Sequence, residues 1–135
     1  MLDKILCVDD DAITLMLCKM VLSKNSFSNE IATATNGEEA LNYFKTLKKT
    51  IIETPSTKVP QLIFLDLNMP VMGGWEFLDH FNSLEFSEFK NIKVIVLSST
   101  IDPEDIEKSK TYPMVIDFLS KPITSTMLEY LKNKV

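Results

Sequence analysis

Four apolar residues, Leu62-Ile63-Phe64-Leu65, run straight into one carboxylate, Asp66, and Pro70 stops the segment four residues later. A continuous apolar run bounded by a turn signal reads as a strand buried on both faces. A charge at the end of such a strand is expensive unless something neutralises it. Asp66 therefore has a cation partner or takes part in chemistry, and the rest of the chain must say which.

Apolar runs and amphipathic stretches alternate along the whole chain. Residues 4–8 form a short strand that ends at Asp9-Asp10-Asp11. Residues 12–24 form a helix with a broad apolar face of Ile13, Leu15, Met16, Leu17, Met20, Val21 and Leu22. Residues 30–34 are a modest second strand. Asn36-Gly37 is a turn, and Glu38 and Glu39 suit the first turn of a helix that carries Ala40, Leu41, Phe44, Leu47 and Ile51. Residues 54–60 are a polar loop between Pro55 and Pro60, and residues 61–66 are the third strand. Gly73-Gly74 precede a helix bearing Trp75, Phe77, Leu78 and Phe81. Residues 84–91 read as a helix end or an irregular connection. Residues 92–97 are the fourth strand, followed by Ser98-Ser99-Thr100. Asp102 as cap and Pro103 at the first helical position start the next helix. Residues 114–119 are a fifth strand. Residues 124–134 are a last helix, with Met127, Leu128 and Leu131 facing inward. Five strand–helix repeats imply parallel strands, right-handed crossovers and helices on both faces of one α/β sheet.

The 135 residues fit one domain, 1–135, and no linker divides them. A net charge of −5 argues against a nucleic-acid footprint, which needs a clustered basic surface. No apolar run approaches the ~20 residues of a membrane span, and the N-terminal apolar run is cut by three aspartates before it reaches signal-peptide length. The chain reads as cytoplasmic. Cys7 and Cys18 then read as reduced, buried thiols that behave as small hydrophobes. The seven methionines read mostly as core filler, and His80 as a surface residue.

In an open α/β sheet, ligands bind at the carboxyl ends of the strands. Here those ends carry Asp9-Asp10, Asp66, Ser98-Ser99 and Lys121-Pro122. Clustered carboxylates without His or Cys suit magnesium. A lysine can place a point charge on a phosphoryl group, and a serine hydroxyl can donate to a phosphoryl oxygen. Together these groups suit phosphoryl transfer to a carboxylate, in which positioning and charge neutralisation do most of the catalysis.

Val8-Asp9-Asp10, Leu65-Asp66-Leu67-Asn68-Met69-Pro70 followed by Gly74, Ser98, and Lys121-Pro122 resemble the receiver domain of bacterial two-component response regulators. The resemblance covers essentially the whole chain, and with nothing left over for an output domain it points to the stand-alone, CheY-like type. It implies a flavodoxin-like (βα)5 three-layer sandwich with strand order 2-1-3-4-5. It implies that Asp66 is a phosphoacceptor served by a histidine kinase or histidine phosphotransfer protein. Asp9 and Asp10 would hold Mg2+, with Mn2+ as a substitute, together with Asp66 and the Asn68 backbone carbonyl. Lys121 would pair with the phosphoryl group. Ser98 and Phe118 would move together as the switch, Asn68 and Thr100 would tune dephosphorylation, and the Lys121–Pro122 peptide would be cis. The output face would be the fourth helix, fifth strand and fifth helix, meeting an unknown downstream protein as a monomer or a weak phosphorylation-dependent dimer.

Two other readings compete. A phosphatase of the haloacid dehalogenase type also forms an aspartyl-phosphate, but it wants a second Asp two residues after the nucleophile, where this chain has Asn68. A pseudo-receiver that binds partners without phosphorylation would have lost Asp9, Asp10, Asp66 or Lys121, and none is lost. In the same spirit, Phe118 could be plain core and Asp11 a solvated residue or a helix cap. Against the resemblance, the chain has Gly73 where many relatives carry Asp or Asn. Tyr112-Pro113 leads into the fifth strand, Asp117 precedes Phe118, and the stretch 45–60 is longer than usual.

Overall fold

The computed structural model describes all 135 residues. Five strands alternate with five helices: β1 (Leu2–Val8), α1 (Ala12–Lys24), β2 (Ser28–Ala34), α2 (Gly37–Glu53), β3 (Leu62–Leu65), α3 (Gly74–Phe81), β4 (Lys93–Ser98), α4 (Pro103–Ser109), β5 (Val115–Ser120) and α5 (Ser125–Leu131). A 3-10 helix at Leu84–Phe89 links α3 to β4, where the sequence left a choice between a helix end and an irregular connection. All strand pairs are parallel, and the sheet order is β2-β1-β3-β4-β5.

Side chains alternate across the strands and feed two separate cores. Leu6, Val8, Ile63, Leu65 and Val94 face α2 and α3, meeting Leu41, Phe44, Phe77 and Phe81. Ile5, Cys7, Leu62, Phe64, Ile95 and Leu97 face α1 and α5, meeting Leu15, Cys18, Leu22, Leu128 and Leu131. The first core is rich in aromatic rings: Phe44 lies 4.7 Å from Phe81 and 5.0 Å from Phe89, centroid to centroid. Removing one such ring leaves a cavity and costs about 3–5 kcal/mol.

Polar residues start the helices at the carboxyl edge of the sheet. Asp11 caps α1 by accepting from the Ile13 N–H at 2.9 Å, so of the two roles open to it the cap is the one it fills. Asn36 caps α2 through the Glu39 N–H at 2.8 Å, and the Glu39 carboxylate reaches back to the Thr35 N–H at 3.1 Å. Asp102, followed by Pro103, caps α4. Thr124 caps α5. Each such cap contributes about 1 kcal/mol.

Several expectations need correction. The apolar face of α1 is not a single core face. Leu15, Cys18 and Leu22 are buried, whereas Ile13, Met16, Leu17 and Met20 are 63%, 54%, 44% and 59% exposed. A helix lying on a sheet turns one stripe inward, and these four residues fall on the other side of α1. The methionines are not mostly core filler either: Met114 is buried, Met69, Met72 and Met127 are partly so, and Met1, Met16 and Met20 are exposed. Strand β2 starts at Ser28, two residues earlier than expected, because Leu2 pairs with Ser28 in the ladder. Helix α5 ends at Leu131, three residues earlier than expected.

Candidate functional site

Register brings the site together. Val8 pairs with Leu65, so the next residues, Asp9 and Asp66, emerge side by side at the carboxyl edge. The Asp66 N–H donates to the Val8 carbonyl at 3.0 Å, and the Asp9 N–H donates to the Ala34 carbonyl at 3.1 Å. On the other flank Ser98 pairs with Ser120, and the Lys121 N–H donates to the Ser98 carbonyl at 2.8 Å. The Lys121–Pro122 peptide is cis.

Asp9 and Asp66 are buried, while Asp10 is exposed at the rim. One carboxylate oxygen from each lies within 4.8 Å of the others. Lys121 bridges the two buried carboxylates, with its Nζ 2.5 Å from Asp9 Oδ2 and 3.2 Å from Asp66 Oδ1. Asp9 Oδ1 accepts from the Asp11 N–H at 2.9 Å. Asp66 Oδ1 also accepts from the Leu67 N–H at 2.9 Å. Asp66 Oδ2 is thus the oxygen of that carboxylate without a hydrogen bond.

Burial, and then repulsion from Asp9, push the Asp66 carboxyl above its ordinary range, outweighing Lys121. Burial works against the charge on Lys121, but hydrogen bonds and attraction from Asp9 and Asp66 outweigh it and hold the ammonium above its usual value. One ammonium is therefore set against three carboxylates. An all-oxygen set with excess negative charge fits a hard divalent cation, and Mg2+ suits a site with few carboxylates and room for water.

The remaining residues expected at the site fall around it. Ser98 is buried, and its Oγ accepts from the Thr100 N–H at 3.3 Å. Asn68 and Thr100 are exposed on the loops that flank the crevice. Phe118 is half-buried and belongs to neither core. It lines a groove of about 240 Å3 between α4 and β5, together with Ile106, Ser109 and Asp117. His80 is exposed on α3, away from the site.

Some contributors carry no polar signal in the sequence. The Leu67 and Asp11 amides act through the backbone. Gly74 is a cradle: a Cβ there would sit 2.5 Å from the Asp66 carbonyl oxygen, so only glycine lets α3 start this close to the acidic residue. A glycine at the first turn of a helix was the available hint. Val71, in the loop after Pro70, has φ of 68°. That is the left-handed region, and it is strained for a β-branched side chain.

Comparisons with known proteins agree with this geometry. The family model described as the response regulator receiver domain matches residues 5–131. A protein-glutamate methylesterase/protein-glutamine glutaminase of Clostridium acetobutylicum is 32% identical over 136 residues, covering 96% of this chain and 34% of that protein. An uncharacterized response regulatory protein of Staphylococcus epidermidis is 31% identical over 127 residues, covering 94% of this chain and 43% of that one. The chain thus spans less than half the length of these curated relatives. Among solved structures, a two-component response regulator from Cytophaga hutchinsonii matches with a TM-score of 0.82 at 33% identity, covering 98% of this chain and 96% of that chain. The chemotaxis response regulator CheY4 of Vibrio cholerae matches with a TM-score of 0.72 at 25% identity, covering 99% and 98%.

Proposed function

This chain belongs to the response regulator receiver domain family, a class of phosphoacceptor signalling modules rather than true enzymes, and from that premise we propose that Asp66 is its phosphoacceptor. The observation that carries the reading is the single Lys121 ammonium shared by two buried carboxylates beside Asp10. Nothing in the packing requires two buried acids at one sheet edge, and such a cluster costs stability, a cost that a role in phosphoryl transfer explains.

Asp66 Oδ2 attacks the phosphorus of a phosphohistidine. A P–O bond forms and the P–N bond breaks. The imidazole nitrogen keeps the electron pair and takes a proton from water. Asp9, Asp10, Asp66 and the Asn68 backbone carbonyl would hold a magnesium ion, which would supply positive charge against the phosphoryl oxygens. Lys121 turns from the Asp66 carboxylate to the new phosphoryl group, which carries more negative charge. Ser98 keeps its hydroxyl proton for a phosphoryl oxygen, since its Oγ only accepts from Thr100. Its movement draws the loop after β4 inward and makes room for Phe118 to leave the α4–β5 groove. Asn68 and Thr100 stand at the mouth, where they set the access of the hydrolytic water. A minor conformer thereby becomes the major one.

The proposed donor is a histidine kinase or histidine phosphotransfer protein, docked on the exposed stripe of Ile13, Met16, Leu17 and Met20. That stripe runs along the helix whose N-terminus adjoins Asp9 and Asp10, and apolar side chains left at a surface in one row mark a contact site. The proposed output face is α4, β5 and α5. Of α4, only Ser109 is buried, so this helix can move without opening a core, while half-buried β5 keeps Val115, Ile116 and Leu119 against the two cores. No helix is long and apolar enough to cross a membrane, and the cytoplasm is the proposed setting.

The test is covalent labelling by phosphoramidate or acetyl phosphate with magnesium. Wild-type protein is expected to gain one phosphoryl group that base or hydroxylamine releases, as from an acyl phosphate, and Asp66→Asn is expected to gain none. Equal labelling of the two proteins would remove Asp66 from its role.

A further inference from the structure

Two thiols meet beneath the acidic site, and nothing in phosphoryl transfer uses them. Cys7 Sγ and Cys18 Sγ lie 3.4 Å apart, and both side chains are buried. Cys7 is in β1, two residues before Asp9. Cys18 is on α1, the helix capped by Asp11. The pair thus spans the seam between the two elements whose ends carry Asp9, Asp10 and Asp11.

Access is asymmetric. Cys18 lines a cleft of about 210 Å3 with Thr14, Leu17, Ser99, Lys121 and Pro122, and Cys7 does not. A second, much smaller void touches both thiols together with Asp9 and Asp66. A small neutral oxidant entering beside Lys121 meets Cys18 first and finds Cys7 directly behind it.

We propose that Cys7 and Cys18 are a redox-active pair, which a peroxide closes reversibly into an intramolecular disulfide. Cys18 Sγ attacks one oxygen of hydrogen peroxide and gives up its thiol proton in the same step. An S–O bond forms, the O–O bond breaks, and the departing hydroxide takes a proton and leaves as water. Cys7 Sγ then attacks the sulfur of the resulting sulfenic acid. The S–S bond forms, the S–O bond breaks, and hydroxide leaves with the Cys7 proton as a second water. The two sulfurs lose two electrons and the peroxide gains them. A dithiol reductant reverses the change by exchange. In a reducing compartment a disulfide of this kind is transient, which suits a sensor rather than a staple.

The bond has a mechanical consequence. A disulfide holds its sulfurs at about 2.05 Å, so closing this pair shortens the contact by more than about 1 Å. The void beside the pair lets side-chain rotation take up part of this shortening, and the close-packed side of the core passes the rest to the backbone. Helix α1 must shift against β1, and its N-terminus is tied to the site by the Asp11 N–H on Asp9 Oδ1 at 2.9 Å. Oxidation therefore displaces Asp10 and Asp11 relative to Asp66. This second part rests on the phosphoacceptor reading, whereas the disulfide does not.

The experiment uses the whole chain. Folded wild-type protein is treated with hydrogen peroxide, then denatured, alkylated and weighed intact. The expected product is a monomer lighter by two hydrogen atoms with neither thiol alkylated, restored by dithiothreitol. Cys7→Ala and Cys18→Ala, treated alike, should instead carry added oxygen or a free thiol. Two alkylated thiols in the treated wild type, or a disulfide-linked dimer, would overturn the proposal. Labelling by phosphoramidate with magnesium is then compared between the oxidised and reduced forms. A loss of ~10-fold or more is expected, because misplacement by about 1 Å is enough for that. Disulfide formation with unchanged labelling overturns the coupling alone. No labelling of the reduced form overturns the phosphoacceptor reading and leaves the thiol chemistry standing on its mass measurement.

Discussion

Lys121 neutralises two buried carboxylates with one ammonium, and this makes it a structural residue as well as a chemical one. Lys121→Ala leaves Asp9 and Asp66 facing each other without a counter-charge. Breaking a fully buried pair costs ~3–5 kcal/mol, and this partly solvated one should lose about 2 kcal/mol in chelator, read by urea denaturation. Magnesium should recover much of the loss, since a ligand at about ten times its Kd adds about 1.4 kcal/mol. Recovery equal to that of the wild type would show that the ion does not occupy the acidic cluster. Asp66→Asn should act in the opposite direction. The Asp66 carboxyl titrates above its unfolded value because burial and Asp9 outweigh Lys121. Below about pH 4 the group is protonated in both states and contributes no penalty. As pH rises through the raised folded value, ionisation in the unfolded state is favoured and stability is lost. Asn removes that loss, so the metal-free variant should melt a few degrees above the wild type at neutral pH, and the gap should close in acid. A gap that widens in acid would reverse the assigned sign. Val71 is a smaller matter at the same scale: at φ of 68° it is strained in a loop that Asn or Gly would occupy more easily.

At the scale of elements, α4 is held largely from its surface. The Trp75 Nε1–H of α3 donates to Asp105 Oδ1 at 3.4 Å, Lys108 Nζ lies 5.0 Å from the Trp75 ring, and the ring stacks on Tyr112 at 5.6 Å. Trp75 is the sole tryptophan, so its emission reports on α4. Beryllofluoride with magnesium, a mimic of the aspartyl-phosphate, should change that emission in the wild type and not in Asp66→Asn. Unchanged emission in both would show that α4 stays in place when the site is filled. The elements themselves were largely legible, because caps and breakers punctuate them: Asp11, Asn36, Asp102-Pro103 and Thr124 all start helices where the sequence pattern places those starts. What escaped was set by tertiary contacts. Ser28 and Asn29 are polar and lie outside the strand expected at 30–34, yet the β1 ladder recruits them into β2. The chain after α5 leaves the helix, and there Lys93 Nζ donates to the Lys134 carbonyl at 3.1 Å while Lys134 Nζ donates to Asp117 Oδ2 at 3.0 Å. In the site, Asp9, Asp10, Asp66, Ser98 and Lys121 were legible because strand ends announce them. The Leu67 amide and the close approach of Gly74 were not, because backbone donors and missing side chains leave no polar mark.

For the whole molecule, the two sides of α1 carry different meanings that hydropathy alone does not separate. Leu15, Cys18 and Leu22 hold the fold, and Ile13, Met16, Leu17 and Met20 are free to hold a partner. Met16→Glu or Met20→Glu should therefore leave melting within about 0.5 kcal/mol of the wild type, as exposed positions do. Phosphoramidate labelling should be unchanged, and transfer from a cognate phosphohistidine protein should fall at least tenfold in kcat/KM. Equal loss with both donors would mean that the substitution damages the site rather than the docking face. The other outward side of the molecule is the free edge of β5. Its sequence, Val115-Ile116-Asp117-Phe118-Leu119, is rich in residues that favour pairing with a neighbouring strand. Asp117 interrupts it. In the finished protein, burial of this carboxylate is outweighed by the Tyr130 hydroxyl at 2.7 Å, Lys134 and the Phe118 amide, which keep it ionised below its usual range. Before α5 folds onto the sheet edge, Tyr130 and Lys134 are not in place, and Asp117 stands as a bare charge within a β-prone stretch. There it repels the same stretch of a sister polypeptide, so the side chain that later fastens α5 to the sheet edge first serves as a gatekeeper against aggregation.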